Sequence, residues 1–119
     1  MPNPFVHIEL QTADVPKAKE FYGQLFNWKL QDVPAPSGGT YTMISVGNGT
    51  GGGIYTKTDA NIPSHWLAYV GVDDVHAMTE KARGLGATVC VEVTEVGNFG
   101  LMSVFIDPTG ATLALWQSR

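Results

Sequence analysis

Cysteine is almost missing from this chain. Cys90 stands alone among 119 residues, so neither an intramolecular disulfide nor a paired-cysteine metal site can form, and a reducing compartment is expected. Charge is also sparse, with 15% Asp, Glu, Lys and Arg against 44% hydrophobic residues, which excludes a charged disordered tail and predicts a buried core. Seven basic side chains against eleven acidic ones leave a net charge of −4. A phosphate-tracking basic face is therefore not expected, nor is nucleic acid as a partner. No run approaches the ~18 apolar residues of a membrane span. The start, Met1 to Pro4, has neither a basic nor an apolar leader segment, so a cytoplasmic location away from membranes is expected. The zinc-protease, nucleophile-elbow and P-loop motifs are all absent. Glycine, by contrast, is abundant: 14 of 119 residues, about 12% against a usual ~7%.

Residues 5 to 11 alternate, with Val6, Ile8 and Leu10 apolar and His7, Glu9 and Gln11 polar, the period of a strand with one face in the core. Asp14 is placed to cap a helix whose first turn holds Pro16 and whose apolar stripe runs through Val15, Ala18, Phe21, Tyr22, Leu25 and Phe26. Strands follow at Trp28 to Val33, Thr40 to Val46 and Ile54 to Thr56, with a loop at Pro34 to Gly39 and a hairpin signal at Asn48-Gly49. The second half repeats the plan. Trp66 to Val72 is a strand, Asp73 or Asp74 caps a helix from Val75 to about Leu85, and Gly86 ends it. Strands at Ala87 to Val93, Leu101 to Ile106 and Thr112 to Trp116 complete it, the last two joined by the turn Asp107-Pro108-Thr109-Gly110. An offset of 60 residues lays Asp14-Val15 on Asp74-Val75 and Glu20 on Glu80. The chain is expected to be a single α+β domain of 119 residues with two βαβββ modules, about 4–58 and 63–118.

Gly47 to Gly52 satisfies G-x-G-x-x-G, but a dinucleotide fingerprint must open a helix, and here a strand follows. His7 and Glu9, two apart on one strand, share a face roughly 7 Å apart. The matching face of the second module's first strand carries His65, Leu67, Tyr69 and Gly71, which is not a surface composition. Two half-apolar faces with a few polar groups suggest a lined cleft. His76 reads as solvated, Cys90 as a buried inert thiol, and Trp28, Trp66 and Trp116 as mostly core.

The segments His7 to Asp14, Ala18 to Tyr22 and Leu25 to Trp28, with the closing Asp107 to Gly110, resemble the glyoxalase, bleomycin-resistance and extradiol-dioxygenase superfamily of vicinal oxygen chelate proteins, closest to its small members related to lactoylglutathione lyase. The resemblance implies two βαβββ modules forming a U-shaped mixed sheet around a cleft, and a homodimer. It implies metal ligands (Ni, Zn, Fe or Mn) on the first and last strand of each module. His7 falls on the first such place, whereas Tyr55, Leu67 and Ala114 stand at the others; His65 and Glu9 are the nearest substitutes. Three or four donors are needed to hold such an ion, so the full metal site is not expected. The expected ligand is a small organic molecule lined by His7, Glu9, Gln11, Tyr55, His65, Leu67, Tyr69, Ala114 and Trp116. His7 and Glu9 are the candidate catalytic pair. Two alternatives stand beside simple binding. One is a lyase or isomerase doing metal-assisted acid–base chemistry next to a carbonyl; the other is a sequestering protein of the bleomycin-resistance type. The glycines at 51 to 53, just before Tyr55, are read as leaving room for a ligand.

Overall fold

In a computed structural model describing residues 2–119, the elements run β1 (Phe5–Thr12), α1 (Val15–Leu25), β2 (Lys29–Pro34), β3 (Thr40–Ser45), β4 (Gly52–Thr56), β5 (His65–Gly71), α2 (Val75–Gly84), β6 (Thr88–Val96), β7 (Gly100–Ile106) and β8 (Thr112–Ser118). The class is α+β and the order is βαβββ twice. Packing groups the residues into two compact units: a first unit, His7–Leu67, and a second, Ala68–Arg119 with the chain up to Val6.

In the first unit the strands lie in the order β2, β3, β4, β1. β1 runs parallel to β4, while β3 is antiparallel to both β2 and β4. The register puts Leu10 beside Ile54 and Ile44 beside Gly52, and these apolar residues form the core against Val15, Ala18 and Tyr22 of α1. α1 starts where the sequence requires: the Asp14 carboxylate accepts the Lys17 N–H at 3.1 Å, and Pro16 occupies the first turn, where no N–H is needed. Lys19 on α1 then reaches the Asp32 carboxylate on β2 at 2.8 Å, and Thr42, fully buried, donates to the other Asp32 oxygen at 2.7 Å. Helix, edge strand and core strand are thereby tied through one carboxyl, held below its usual range by the Lys19 and Thr42 hydrogen bonds.

The second unit has the order β5, β8, β7, β6, with β5 parallel to β8 and the other pairs antiparallel. Val72, Val75 and Leu115 form its core, joined by Met78, Leu101 and Phe105. Asp74 caps α2 through the Ala77 N–H at 3.0 Å, and the next free donor, Val75 N–H, is taken by the Gln117 side chain on β8 at 2.9 Å. Buried Thr79 donates to the Val75 carbonyl at 2.6 Å and meets the buried Ser103 hydroxyl on β7 at 2.8 Å. The turn Asp107 to Gly110 has a mechanism. Its first carboxylate accepts from the Thr109 N–H (2.8 Å), the Thr109 hydroxyl (2.6 Å) and the Ala111 N–H (3.1 Å), which lowers the Asp107 pKa.

Burial departs from the sequence expectation in several places. Val6 and Ile8 are 39% and 37% exposed, while Glu9, on the nominally polar face, is 8% exposed. Phe21 and Leu25 of α1 and the capping Phe26 are exposed beside the Val15, Ala18 and Tyr22 side chains that pack on the core, and Trp66 is exposed rather than core. Trp28 and Trp116 are half-buried. Cys90 is also exposed, because β6 is the last strand of its unit's sheet and shifts register between Val89 and Val91; its thiol donates to the Val104 carbonyl at 3.5 Å. His76 is exposed, as expected. No helix among the described residues is long and apolar enough to cross a membrane.

The Thr79–Ser103 pair sets a stability prediction. Thr79→Val leaves Ser103 without its side-chain partner and should cost about 1–3 kcal/mol. T79V/S103A together should recover most of that loss, as read from urea midpoints.

Candidate functional site on the helix-free face of the first unit

Strand pairing decides which side chains share a face. Glu9 pairs with Gly53, Gln11 with Tyr55, and Gly53 with Met43, so His7, Glu9, Gln11, Tyr41, Met43 and Tyr55 all lie on the side opposite α1. Within that face four polar side chains are joined. The Tyr41 hydroxyl donates to Glu9 Oε1 at 2.8 Å, Gln11 Nε2 donates to Glu9 Oε2 at 2.8 Å, and His7 Nε2 lies 2.8 Å from the Tyr41 oxygen. Tyr41 has one proton and gives it to the carboxylate. His7 Nε2 must therefore be the donor to Tyr41, which makes the imidazole the Nε2–H tautomer. Burial holds the His7 pKa below the ordinary histidine value although the Glu9 charge nearby opposes this.

Tyr41 can reach this position because residue 53 has no side chain. A Cβ on Gly53 would collide with the Tyr41 ring and hydroxyl. Gly52 is excluded from having a side chain for a different reason, since its Cβ would meet the Ile8 carbonyl across the parallel pair, and a Cβ on Gly51 would lie 2.7 Å from the Ile44 carbonyl. This corrects the reading of the three glycines as room for a ligand. The space is taken by Tyr41 and by neighbouring backbone. None of the three has a positive φ; the left-handed glycines of this region are Gly47 and Gly49 in the β3–β4 loop.

The remaining expected residues are placed as follows. Tyr55 stacks obliquely on Tyr41 with ring centroids 5.5 Å apart, but its hydroxyl is turned to the β2–β3 loop, donating to the Gly38 carbonyl at 2.9 Å and lying 3.1 Å from the Ser37 hydroxyl. His65 is half-buried at the start of β5, with Nδ1 2.8 Å from the Pro63 carbonyl, and Leu67 is buried. In the second unit, Tyr69, Ala114 and Trp116 share the face opposite α2, Ala114 pairing with Tyr69. The Tyr69 and Trp116 rings meet edge-on at 6.5 Å, and the indole N–H donates to Ser118. Tyr41 was not among the expected residues. Its signal was the alternation of Thr40 to Val46, which sets Tyr41 with Met43 on one face, together with a glycine two places before Tyr55.

These residues do not fit a divalent metal. Leu67 and Ala114 offer no donor atom, Tyr55 is turned to Gly38, and among the described residues no three His, Cys, Asp or Glu side chains are grouped to hold an ion.

The comparisons with known proteins agree with this architecture. The family model described as "Glyoxalase/Bleomycin resistance protein/Dioxygenase superfamily" matches residues 5–115. The chain belongs to that superfamily. "Putative glyoxylase CFP32" of Mycobacterium tuberculosis is 36% identical over 116 residues, covering 94% of this chain and 44% of the relative. "Anthracycline biosynthesis protein DnrV" of Streptomyces peucetius is 29% identical over 124 residues, covering 92% of this chain and 45% of that protein. The chain thus spans less than half the length of these relatives. Among solved structures, methylmalonyl-CoA epimerase from Mycobacterium tuberculosis superposes with a TM-score of 0.72 at 16% identity, covering 97% of this chain and 87% of the epimerase. At that identity the likeness is one of fold, and it places the βαβββ order of this superfamily member among known structures.

Two predictions follow from the Tyr41 seat and from His7. Gly53→Ala should displace the Tyr41 ring, change the near-ultraviolet tyrosine dichroism and cost about 1–3 kcal/mol of stability. For His7, the unfolded imidazole binds a proton at its ordinary value while the folded one does so only at lower pH. The unfolded chain binds more protons in between, so stability should rise with pH across that window, and His7→Gln should flatten the rise in urea titrations at several pH values.

Proposed function

We propose that the helix-free face around Glu9 binds a small organic molecule. The observation that carries this reading is a carboxylate only 8% exposed, on the sheet face away from the helix, fixed by Tyr41 and Gln11 and linked through Tyr41 to His7. A charge taken out of water costs several kcal/mol unless it is hydrogen-bonded. Glu9 and its partners Tyr41 and Gln11 lie on the face away from the helix, whereas Asp32 fastens the helix to the sheet. The burial of Glu9 amid hydrogen-bond donors supports a role toward a ligand rather than in the scaffold. Met43, 42% exposed, adds an apolar surface on the same face.

A second reading is acid–base catalysis next to a carbonyl, of the lyase or isomerase type. It is favoured by the continuous chain His7, Tyr41, Glu9, which offers a route for a proton between an imidazole and a carboxylate. Solved relatives in fold include a methylmalonyl-CoA epimerase in complex with methylmalonyl-CoA. A sequestering role of the bleomycin-resistance type needs affinity alone, and the net charge of −4 suits a cationic ligand. The assembly proposed is a homodimer and the location cytoplasmic, with neither nucleic acid nor membrane as partner.

The test is a thermal-shift screen of aldehydes, thiol adducts, aromatic acids and cationic antibiotics on the wild-type chain and on Glu9→Gln. Compounds bound at this face should lose at least about tenfold in affinity in E9Q, a factor equivalent to about 1.4 kcal/mol. Hits that bind E9Q as tightly as the wild type would place the ligand elsewhere.

A further inference from the structure

We propose that Asn48, in the β3–β4 loop, is a site of spontaneous covalent modification, at which the chain loses ammonia and the Asn48-Gly49 junction becomes isoaspartate or aspartate. The chemistry is local. The Gly49 main-chain nitrogen attacks Cγ of Asn48 and closes a cyclic imide: the N–Cγ bond forms, the Cγ–Nδ2 bond breaks, and the Gly49 proton leaves with the amide nitrogen as ammonia. Water then opens the ring. Opening at Cγ leaves an aspartate at 48, while opening at the main-chain carbonyl leaves isoaspartate, whose backbone runs through the former side chain and carries an extra methylene. Either product adds a negative charge to a chain already at −4. The reaction requires a reachable side-chain amide, a following nitrogen that no hydrogen bond holds, and room for the ring to close.

The chain has five asparagines, and only Asn48 meets all three requirements. Asn3 is held through Nδ2 by the Gly71 carbonyl at 2.9 Å, and Pro4 after it has no N–H to lose. After Asn61 the Ile62 N–H is bonded to the Asp59 carbonyl at 3.2 Å, and after Asn98 the Phe99 N–H is bonded to the Val96 carbonyl at 3.0 Å. A nitrogen so held attacks only after local opening. Asn27 precedes Trp28, whose ring lies 4.6 Å from the Phe26 ring and packs against the core of the first unit, so that junction is fixed. Asn48 differs in each respect. It is exposed, and among the described residues neither its side chain nor the Gly49 N–H makes a hydrogen bond. Gly49 has no Cβ to shield its nitrogen, and a Cβ built there would meet nothing within 4 Å. With φ of 98° at Gly47 and 105° at Gly49, the loop is made of residues whose backbone is free to move. The same glycines that form the turn thus open its asparagine to attack. The loop joins β3 to β4, the strands that carry Tyr41 and Gly53, and isoaspartate lengthens the main chain between them.

The test ages the whole chain in mildly alkaline buffer at body temperature, folded in one sample and unfolded in guanidinium chloride in another, and follows every asparagine by peptide mass mapping. In the folded chain Asn48 should convert at least about tenfold faster than any other asparagine. Its rate should be nearly the same in the unfolded sample, because the loop gives it no protection to lose. Asn61 and Asn98 should convert faster once unfolding frees the nitrogens that follow them. The aged folded chain should accept a labelled methyl group from a protein isoaspartyl methyltransferase. Asn48→Gln should remove that labelling, since the longer side chain has to close a larger ring. The proposal is overturned if Asn48 stays intact, if it converts much more slowly folded than unfolded, or if another asparagine outpaces it in the folded chain. Labelling undiminished in N48Q overturns it as well.

Discussion

One phenolic hydroxyl organises the helix-free face of the first unit. Tyr41 donates a hydrogen bond to Glu9 and takes one from His7, so a buried carboxylate, an imidazole and their orientations are fixed together. A carboxylate 8% exposed is tolerable only if it is hydrogen-bonded. The bond comes from β3, not from the strand that carries Glu9. For this reason the pairing of β3 with β4 and of β4 with β1 matters chemically: a register slip of one residue would turn Tyr41 to the core side and leave the charge alone.

The opposite side of the same sheet is arranged by different means. Asp32 joins α1 to β2 and β3 with two hydrogen bonds, and the apolar core of Leu10, Ile44 and Ile54 lies beside it. The second unit makes the equivalent attachment with the Arg83 guanidinium of α2 on Glu92 of β6 at 2.8 Å, and adds the uncharged contacts of Thr79 on Ser103 and Gln117 on the first turn of α2. Both modules thus set a helix cation on a carboxylate of an end strand, while the uncharged polar contacts beside that pair differ. That agrees with the thin identity between the halves: the repeat is one of hydrophobic pattern and capping, and each half has its own polar fastenings.

Much of this could be read from the residues. Helix starts at Asp14 and Asp74, the glycine-bearing turns and the βαβββ order all follow from local chemistry that acts within a few positions. So did membership of the superfamily, carried by the opening and closing segments. What escaped was whatever depends on neighbours distant in sequence. Alternation in β1 identifies two faces but not what covers them, so Val6 and Ile8 were expected inside, and Glu9, read as lining a cleft, is buried beneath its own hydrogen-bond partners. The apolar stripe on α1 is wider than the face that packs: Val15, Ala18 and Tyr22 meet the core, while Phe21, Leu25 and Phe26 stay exposed. Cys90 is apolar by habit yet lies on the last strand of its sheet. Tyr41 lies more than thirty positions from its partners, and only the strand pairing brings the three together.

Gly53 and Tyr41 have a counterpart in the second unit. A Cβ on Gly100, in β7, would collide with the Gln117 carbonyl and press within 2.7 Å of the Trp116 ring. In each unit a strand gives up a side chain where a large aromatic from an adjacent strand lies on the helix-free face. A glycine inside a strand weakens it, so these two positions hold their residue against the preference of the backbone. Position 53 can take a side chain only where the Tyr41 ring has given way, whereas at 100 the Gln117 carbonyl excludes a Cβ whatever residue stands at 116. In a lineage descended from this chain, a side chain at 53 would therefore record an earlier change at 41, while the glycine at 100 would record only the course of the backbone.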